Sequence, residues 1–388
     1  KGTSSRSTKL IHGGVRYLQN GDITLVIESL KERGILKRNA PHLVKDLSFV
    51  IPTYDWWASP FYGIGMKIYD MMAGKLGLGK SIIISKEETE KLIPNVNKKG
   101  LRGGVIYHDG QFDDSRMAIT LALSANSKKT ALINYCNVDG LIKKDNEITG
   151  LNFTDSINSK KYQINSKIVI NATGVFAEEI IRMDQPKIEK MIQPSQGVHI
   201  VLERKFLKSK HAILIPQTSD GRVLFAVPWK DYVVVGTTDT HVKNASEEPA
   251  PLKEEIDFIL ENVKNYLELY PKRDNIKSVF VGLRPLVANN SNSKSKDLSR
   301  KHKIIVSKSG MVSVIGGKWT TYRRMAENVI DLALKKTKLP FVKSKTSDLK
   351  IKNGLIDIDF SKESLSDDFF LSKEMIIHYV KNEMALNL

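Results

Sequence analysis

Eighteen residues at the start of the sequence, KGTSSRSTKLIHGGVRYL, bring together the hydroxyls of Thr3, Ser4 and Ser5, the amine of Lys9, the imidazole of His12, a Gly13–Gly14 turn and an Arg16–Tyr17 pair. Hydroxyls and cations bind anions, and glycines let a ligand approach the backbone. An imidazole titrating near pH ~6.5 suits reversible proton transfer. This density of polar groups is the make-up of a binding site. A second candidate is the Ala172-Thr173-Gly174 turn, between the strand-like Lys167–Asn171 and a helix starting at Val175. That arrangement turns backbone N–H groups toward a phosphate-bearing ligand. A third is Arg284, read at a strand end before Pro285, with its side chain free to enter a crevice. His199 and His211 read as ordinary, hydrogen-bonded histidines at sheet edges.

The elements that must hold these residues are partly readable. Apolar positions Ile23, Val26, Ile27 and Leu30 predict a helix capped near Asp22 that pauses near Gly34. SKEETEKLIP predicts a short capped helix, and DDSRMAITLALSAN a longer one. Gly100–Phe112 reads as a glycine-rich turn region. Thr130–Asp155 reads as strands punctuated at Asp139-Gly140 and Asp145-Asn146, with Cys136 packed in a buried strand. Residues 193–240 predict an antiparallel sheet, and Leu252–Leu267 an amphipathic helix. SVFVGLRPLV is a strand, the polar stretch after it a loop, and Lys303–Leu334 two strands, a Gly316-Gly317 turn and a long helix. The fold class expected is mixed α/β, a glycine-turn parallel unit interrupted by an antiparallel sheet.

Composition bounds the function. The 388 residues carry 60 Lys and Arg against 43 Asp and Glu, a net charge of +17, with one cysteine and 41% hydrophobic residues. One cysteine cannot form an internal disulfide, which fits a reducing compartment. The basic excess is spread along the chain without a zinc-ligand cluster or an RNA-binding signature, so no nucleic-acid partner and no metal site are expected. Attraction to an anionic membrane or substrate is the alternative meaning of the charge. No apolar run spans a bilayer. The aromatic stretch Phe49–Gly74 is interrupted by Pro52, Asp55, Pro60, Lys67 and Asp70, and Trp56, Trp57, Phe61 and Tyr62 read as core or pocket lining ahead of a membrane-interface role.

Six motifs then occur in order: TSSRSTKLIHGGVRYL, INATGVFAEEI, QPSQGVHIV, FAVPWKDYVVVGTTDT, VGLRPLV and IGGKWTTYRRMAE. Together they closely resemble the FAD-dependent glycerol-3-phosphate dehydrogenases. The resemblance runs from Lys1 to about residue 335 and, weakly, from Phe369 to Leu388. It implies a glutathione-reductase-like FAD-binding domain (1–40, 126–190 and 275–335), a substrate-binding domain roofed by an antiparallel sheet (41–125 and 191–274), and part of a helical C-terminal domain (336–388). The family's opening strand, GxGxxG turn and ribose-binding acidic residue would lie ahead of Lys1. Gly63-Ile64-Gly65 and Gly74–Gly79 lack a preceding buried strand and do not replace them. The chain thus reads as shortened at both ends, which would leave an exposed parallel sheet edge.

The resemblance implies oxidation of glycerol 3-phosphate to dihydroxyacetone phosphate with FAD, electrons passing to a quinone in glycerol catabolism. Peripheral contact with an anionic membrane at the inner face of the cytoplasmic membrane is implied too, with a homodimer as one allowed assembly. An oxidase using O2 and an inactive fragment stay open as alternatives. By matching motifs, Arg16, Tyr17, Arg284 and Lys318 bind the substrate, with His12 and Arg284 catalytic; His12 acts either as the base or as a group positioning the flavin. Thr3, Ser4, Ser5, Lys9, Leu10, His12, Gly13, Val138, Ala172, Thr173, Gly174, Gly317, Lys318, Trp319 and Thr320 face FAD, the last four through N–H groups opening the long helix.

Overall fold

The computed structural model describes residues 2–15, 17, 21–126, 130–287 and 302–351. Arg16, most of the polar stretch after Val287 and the tail from Lys352 therefore lie outside the described residues. In chain order the elements are β1 (Leu10–Ile11), α1 (Ile23–Asn39), β2 (Val44–Thr53), α2 (Ala58–Ala73), β3 (Ile82–Ser85), α3 (Lys86–Leu92), β4 (Gly103–Phe112) and α4 (Asp114–Asn126). Next come β5 (Cys136–Lys144), β6 (Glu147–Asp155), β7 (Lys161–Asn165), β8 (Ile170–Asn171), α5 (Ala177–Asp184) and β9 (Ile192–Glu203). The remainder is β10 (Ala212–Ile215), β11 (Leu224–Trp229), β12 (Tyr232–Gly236), β13 (Thr240–His241), α6 (Lys253–Lys264), β14 (Ile276–Val287), β15 (His302–Val306), β16 (Val312–Gly316) and α7 (Tyr322–Thr337).

Among the described residues the largest sheet has ten strands, ordered β1-β4-β2-β10-β11-β12-β9-β13, with β14 on β9 and β3 on β4. Only the β10–β2 pair in it is parallel. Its middle is buried on both faces, because successive side chains alternate. In β10, Ile213 and Ile215 join one core with Ile259 and Val263 of α6. Ala212 and Leu214 join the other, with Leu30 of α1 and Met66 and Tyr69 of α2. Elsewhere β16 pairs in parallel with β8 and antiparallel with β15. β5, β6 and β7 form a meander whose first turn, Asp145–Asn146, has both φ values positive (51° and 64°), as a tight hairpin needs.

Several expectations are corrected. Gly100–Phe112 is no turn region: β4 is a buried strand between β1, β2 and β3. A Cβ at Gly104 would lie 2.8 Å from Thr89 Oγ1, and one at Gly110 3.0 Å from the Ile11 carbonyl. The glycines permit close strand approach, and that gives the stretch a turn-like composition. α1 does not pause at Gly34, where Leu76 packs so tightly that a Cβ would sit 2.5 Å from it. Cys136 starts β5 and is half-buried, since the meander leaves much of its surface open. Asp139-Gly140 is a bulge within β5 rather than a turn. Tyr62 is buried, but Trp56, Trp57 and Phe61 are exposed. Asp22 does cap α1 through Leu25 N, and Ser85 with Glu88 forms a capping box on α3.

Candidate active site

The polar N-terminal segment, the large sheet and the turn before α7 meet in one cleft. It comprises two adjoining hollows of about 180 and 190 Å³ that share Thr8, Leu10, His12, Tyr17, Phe225 and Arg284. Half of the predicted site residues come together here. Thr3, Gly317, Lys318, Trp319 and Thr320 line one hollow and Gly14 the other.

The sheet supplies the wall that carries the guanidiniums. Arg284 lies inside β14, not at its end, opposite Ser195 of β9. Its Nη2 donates to Thr237 Oγ1 at 3.0 Å, and its Nη1 stands 3.5 Å from Asp239 Oδ1. Arg222 reaches the same carboxylate at 3.6 Å while its Nε donates to Asp220 Oδ2 at 2.7 Å, so two guanidiniums and two carboxylates interlock along this wall. Across the cleft, Lys318 Nζ donates to Ser29 Oγ at 2.5 Å and lies 4.5 Å from the centroid of the Tyr17 ring.

The N-terminal wall is a loop fixed by side chains. Thr3 Oγ1 donates to the Leu283 carbonyl (2.5 Å), Trp319 Nε1 to the Ser4 carbonyl (2.8 Å) and Thr320 Oγ1 to the His12 carbonyl (3.3 Å). Lys9 Nζ pairs with fully buried Asp114 at 2.5 Å, and Ser7 donates to that carboxylate from both N (2.9 Å) and Oγ (2.7 Å). Lys9 therefore organises the loop rather than lining the cleft, and Ser5 bonds back to Gly2. Gly13 is buried behind the loop, its N–H donating to Tyr69 Oη at 2.7 Å. Trp319–Thr321 form a 3₁₀ turn, and α7 itself starts only at Tyr322.

Val138, Ala172, Thr173 and Gly174 do not line this cleft. Val138 pairs with Phe153 in the meander, and Thr173 folds back onto Asn171 Oδ1 after β8.

Sequence reasoning missed His199. It lies within β9, paired on both sides, not at a sheet edge. Its ring stacks on Phe280 (4.7 Å, 9°) and Nε2 bonds Thr8 Oγ1 at 2.8 Å, while buried Nδ1 has no hydrogen-bond partner. Burial, with Arg284 and Lys9 adding repulsion, lowers its pKa to about 3. A neutral imidazole thus faces the cleft at physiological pH. The available signal was GVHIV, a polar residue at an inward position of an otherwise apolar strand. Arg222, Thr237 and Asp239 were missed as well; Arg222 follows a turn and the other two lie in the link after β12, where periodicity carries no information. His211, by contrast, is an ordinary histidine bonded to Ser48 (2.6 Å).

The floor of one hollow includes Gly197, Gly282 and Gly317. A Cβ at Gly197 would sit 2.5 Å from Arg284 Nη2, and one at Gly282 2.6 Å from the Arg6 carbonyl. Gly317 has φ +84° and would press Met325. A backbone floor, aromatic edges at Phe225 and Trp319, a hydroxyl rim and the unpartnered Nδ1 of His199 fit a flat, polar-edged ring such as isoalloxazine.

The chain belongs to the FAD dependent oxidoreductase family, whose sequence pattern matches residues 1–323. FAD is accordingly its cofactor. Among its relatives is the mitochondrial glycerol-3-phosphate dehydrogenase of Mesocricetus auratus, 40% identical over 368 residues, which cover 91% of this chain and 50% of that protein. The Schizosaccharomyces pombe enzyme of the same name is 40% identical over 359 residues, covering 86% of this chain and 55% of that protein. The chain spans about half the length of the curated relatives it matches. A glycerol-3-phosphate dehydrogenase from Bacillus halodurans, solved with FAD, superposes with a TM-score of 0.72 at 27% identity, covering 92% of this chain and 61% of that one. The FAD-bound L-alpha-glycerophosphate oxidase of Mycoplasma pneumoniae shares the fold (TM-score 0.66, 16% identity, 90% of this chain and 88% of that one).

Proposed function

We propose that the protein containing this chain oxidises glycerol 3-phosphate to dihydroxyacetone phosphate and passes the electrons to a quinone. The observation that supports this best is the meeting of Arg284, Lys318, Tyr17 and His12 at one cleft, in a chain 40% identical to mitochondrial glycerol-3-phosphate dehydrogenases. When bound, FAD supplies the acceptor for the hydride leaving C2. Arg284 and Lys318 hold the substrate phosphate, and Tyr17 adds a phenolic donor. An imidazole nitrogen of His12 takes the hydroxyl proton as the C–O bond becomes a carbonyl. His199, neutral through burial, hydrogen-bonds without adding a charge beside Arg284. The discontinuous division into FAD-binding and substrate-binding parts belongs to the same proposal.

Anaerobic glycerol 3-phosphate should bleach the flavin absorbance of the full-length protein, and reoxidation should proceed with a soluble quinone. A spectrum that substrate leaves unchanged in FAD-loaded protein refutes the reading, and stoichiometric hydrogen peroxide in air reassigns the acceptor to O2. His12→Asn should lower kcat about 10²-fold, with a smaller change in KM; unchanged turnover removes His12 as the base.

Contact with an anionic membrane is the second part of the proposal. On α2, Phe61, Ile64, Ile68 and Met71 recur at helical spacing and are all exposed, Met71 by 80%, with Trp56 and Trp57 preceding and Lys67, Lys75 and Lys80 nearby. Such a stripe suits an interfacial helix. No described helix is long and apolar enough to cross a bilayer. Binding to vesicles with anionic lipid that Phe61→Ser with Ile68→Ser abolishes supports this contact; binding that survives both changes rejects this face.

A further inference from the structure

Beneath the His12–Gly14 turn lies a buried charged cluster that the mechanism above does not use. Arg33 of α1, Tyr69 of α2 and Asp109 of β4 are each at most 2% exposed. Arg33 Nη1 donates to Asp109 Oδ1 (2.6 Å) and to the His108 carbonyl (3.2 Å). Tyr69 Oη donates to Asp109 Oδ2 (2.9 Å) and accepts the Gly13 N–H (2.7 Å). Burial raises the Asp109 pKa and the Arg33 guanidinium opposes that rise. As a carboxylate paired with Arg33, Asp109 accepts, so the single Tyr69 proton points to it and a lone pair is left for Gly13. Burial, reinforced by Asp109, raises the Tyr69 pKa well above its usual value and keeps that proton in place.

Burying an ion pair is costly before any attraction is counted, and well-packed apolar residues often stabilise as much. Leu30, Phe49 and Met66 already pack around this spot, so packing alone does not call for charge here. What the cluster supplies is a fixed anchor point for one backbone N–H, next to the residue that takes the substrate proton. The position also tolerates no other tenant: a Cβ on Gly13 would lie 2.5 Å from Tyr69 Oη and 2.5 Å from Leu30 Cδ2.

We propose that Arg33, Asp109 and Tyr69 form a positioning relay: Tyr69, oriented by the Arg33–Asp109 pair, holds Gly13 and thereby sets where the His12 imidazole stands in the cleft. This rests on the function proposed above, because His12 is what the relay serves. The three are positioning residues that act through His12, although Asp109 also borders one hollow of the cleft.

Tyr69→Phe in the full-length, FAD-loaded protein tests the relay with two independent readouts. Hydrogen–deuterium exchange of the peptide spanning Thr8–Val15 should rise about tenfold as the Gly13 N–H loses the Tyr69 hydroxyl and keeps only its contact with Asp109. For glycerol 3-phosphate, kcat should fall at least about tenfold, while KM stays within about twofold and FAD content is unchanged. Wild-type exchange in that peptide overturns the relay, and so does raised exchange with normal kcat. Because exchange needs no substrate, wild-type protein inert toward glycerol 3-phosphate refutes the function instead, and the two failures stay distinct. If Tyr69→Phe does not fold, Asp109→Asn takes its place, since it keeps an acceptor for Tyr69 but weakens the orientation. It should show the same selective loss of kcat at smaller size. A lowered Tm with kcat and KM both intact would make the cluster purely structural and overturn the proposal.

Discussion

The two walls of the cleft are built on different principles. The sheet wall carries Arg284 and His199 on β14 and β9, paired from Leu202–Ile276 to Ile192–Val287 with a single irregularity. Main-chain hydrogen bonds fix those positions, whatever side chain occupies them. The facing wall carries His12 on a segment whose only strand among the described residues is the two-residue β1. There the order comes from side chains: Asp114 gripping Ser7 and Lys9, Tyr69 gripping Gly13, and Thr320 and Trp319 gripping carbonyls. The sheet wall should thus separate chemistry from stability under mutation, and the loop wall should not.

The largest test of this contrast is Asp114→Ala. It strands the Lys9 ammonium, whose side chain is 14% exposed, and frees Ser7. We expect a loss of about 3–5 kcal/mol in urea unfolding, together with lost turnover; a loss below about 1 kcal/mol would show that the loop does not depend on its side-chain grips. Next in size, Arg284→Gln should cut kcat/KM about 10²-fold, roughly 2.7 kcal/mol, while unfolding shifts by less than about 1 kcal/mol. Parallel losses of both would erase the difference between the walls.

The smallest effect concerns His199 and pH. Its pKa of about 3 lies below the unfolded value near ~6.5, so between these values the unfolded chain binds more protons than the folded one. Stability from this residue is full above pH ~6.5 and declines as pH falls, by up to about 1.4 kcal/mol per unit. His199→Gln should flatten the wild-type drop in urea midpoint between pH 7 and pH 5. An unchanged slope would show that His199 is not the group titrating on unfolding.

The same division governs what the sequence disclosed. Local signals were legible: the Asp22 cap, the Ser85–Glu88 box, the Asp145-Asn146 hairpin and the alternation along β9 to β12. Long-range fits were not. β4 hid behind glycines whose purpose is contact with β2 and β1, and β2 behind Pro52 and Asp46. His199 reads as filler until Phe280 and Thr8 are placed beside it from 81 and 191 residues away in sequence, respectively. His12, Tyr17, Arg284 and Lys318 were found because their motifs carry a family resemblance, and the structure brings the four into one cleft. The Arg33–Asp109–Tyr69 cluster left no mark in any motif, since its members come from three elements.

The backbone floor of the cleft also limits how this protein can diversify. Substitution at Gly197 displaces Arg284, at Gly282 it meets the Arg6 main chain, and at Gly317 it meets an unfavourable φ as well as Met325. Gly282 is the most closed of the three, because its neighbour is main chain, whereas Gly197 and Gly317 face the movable ends of Arg284 and Met325. Variation in the shape of this cleft is therefore easier at its rim, at Thr3, Thr8, Arg222 or Trp319, than at Gly282 beneath.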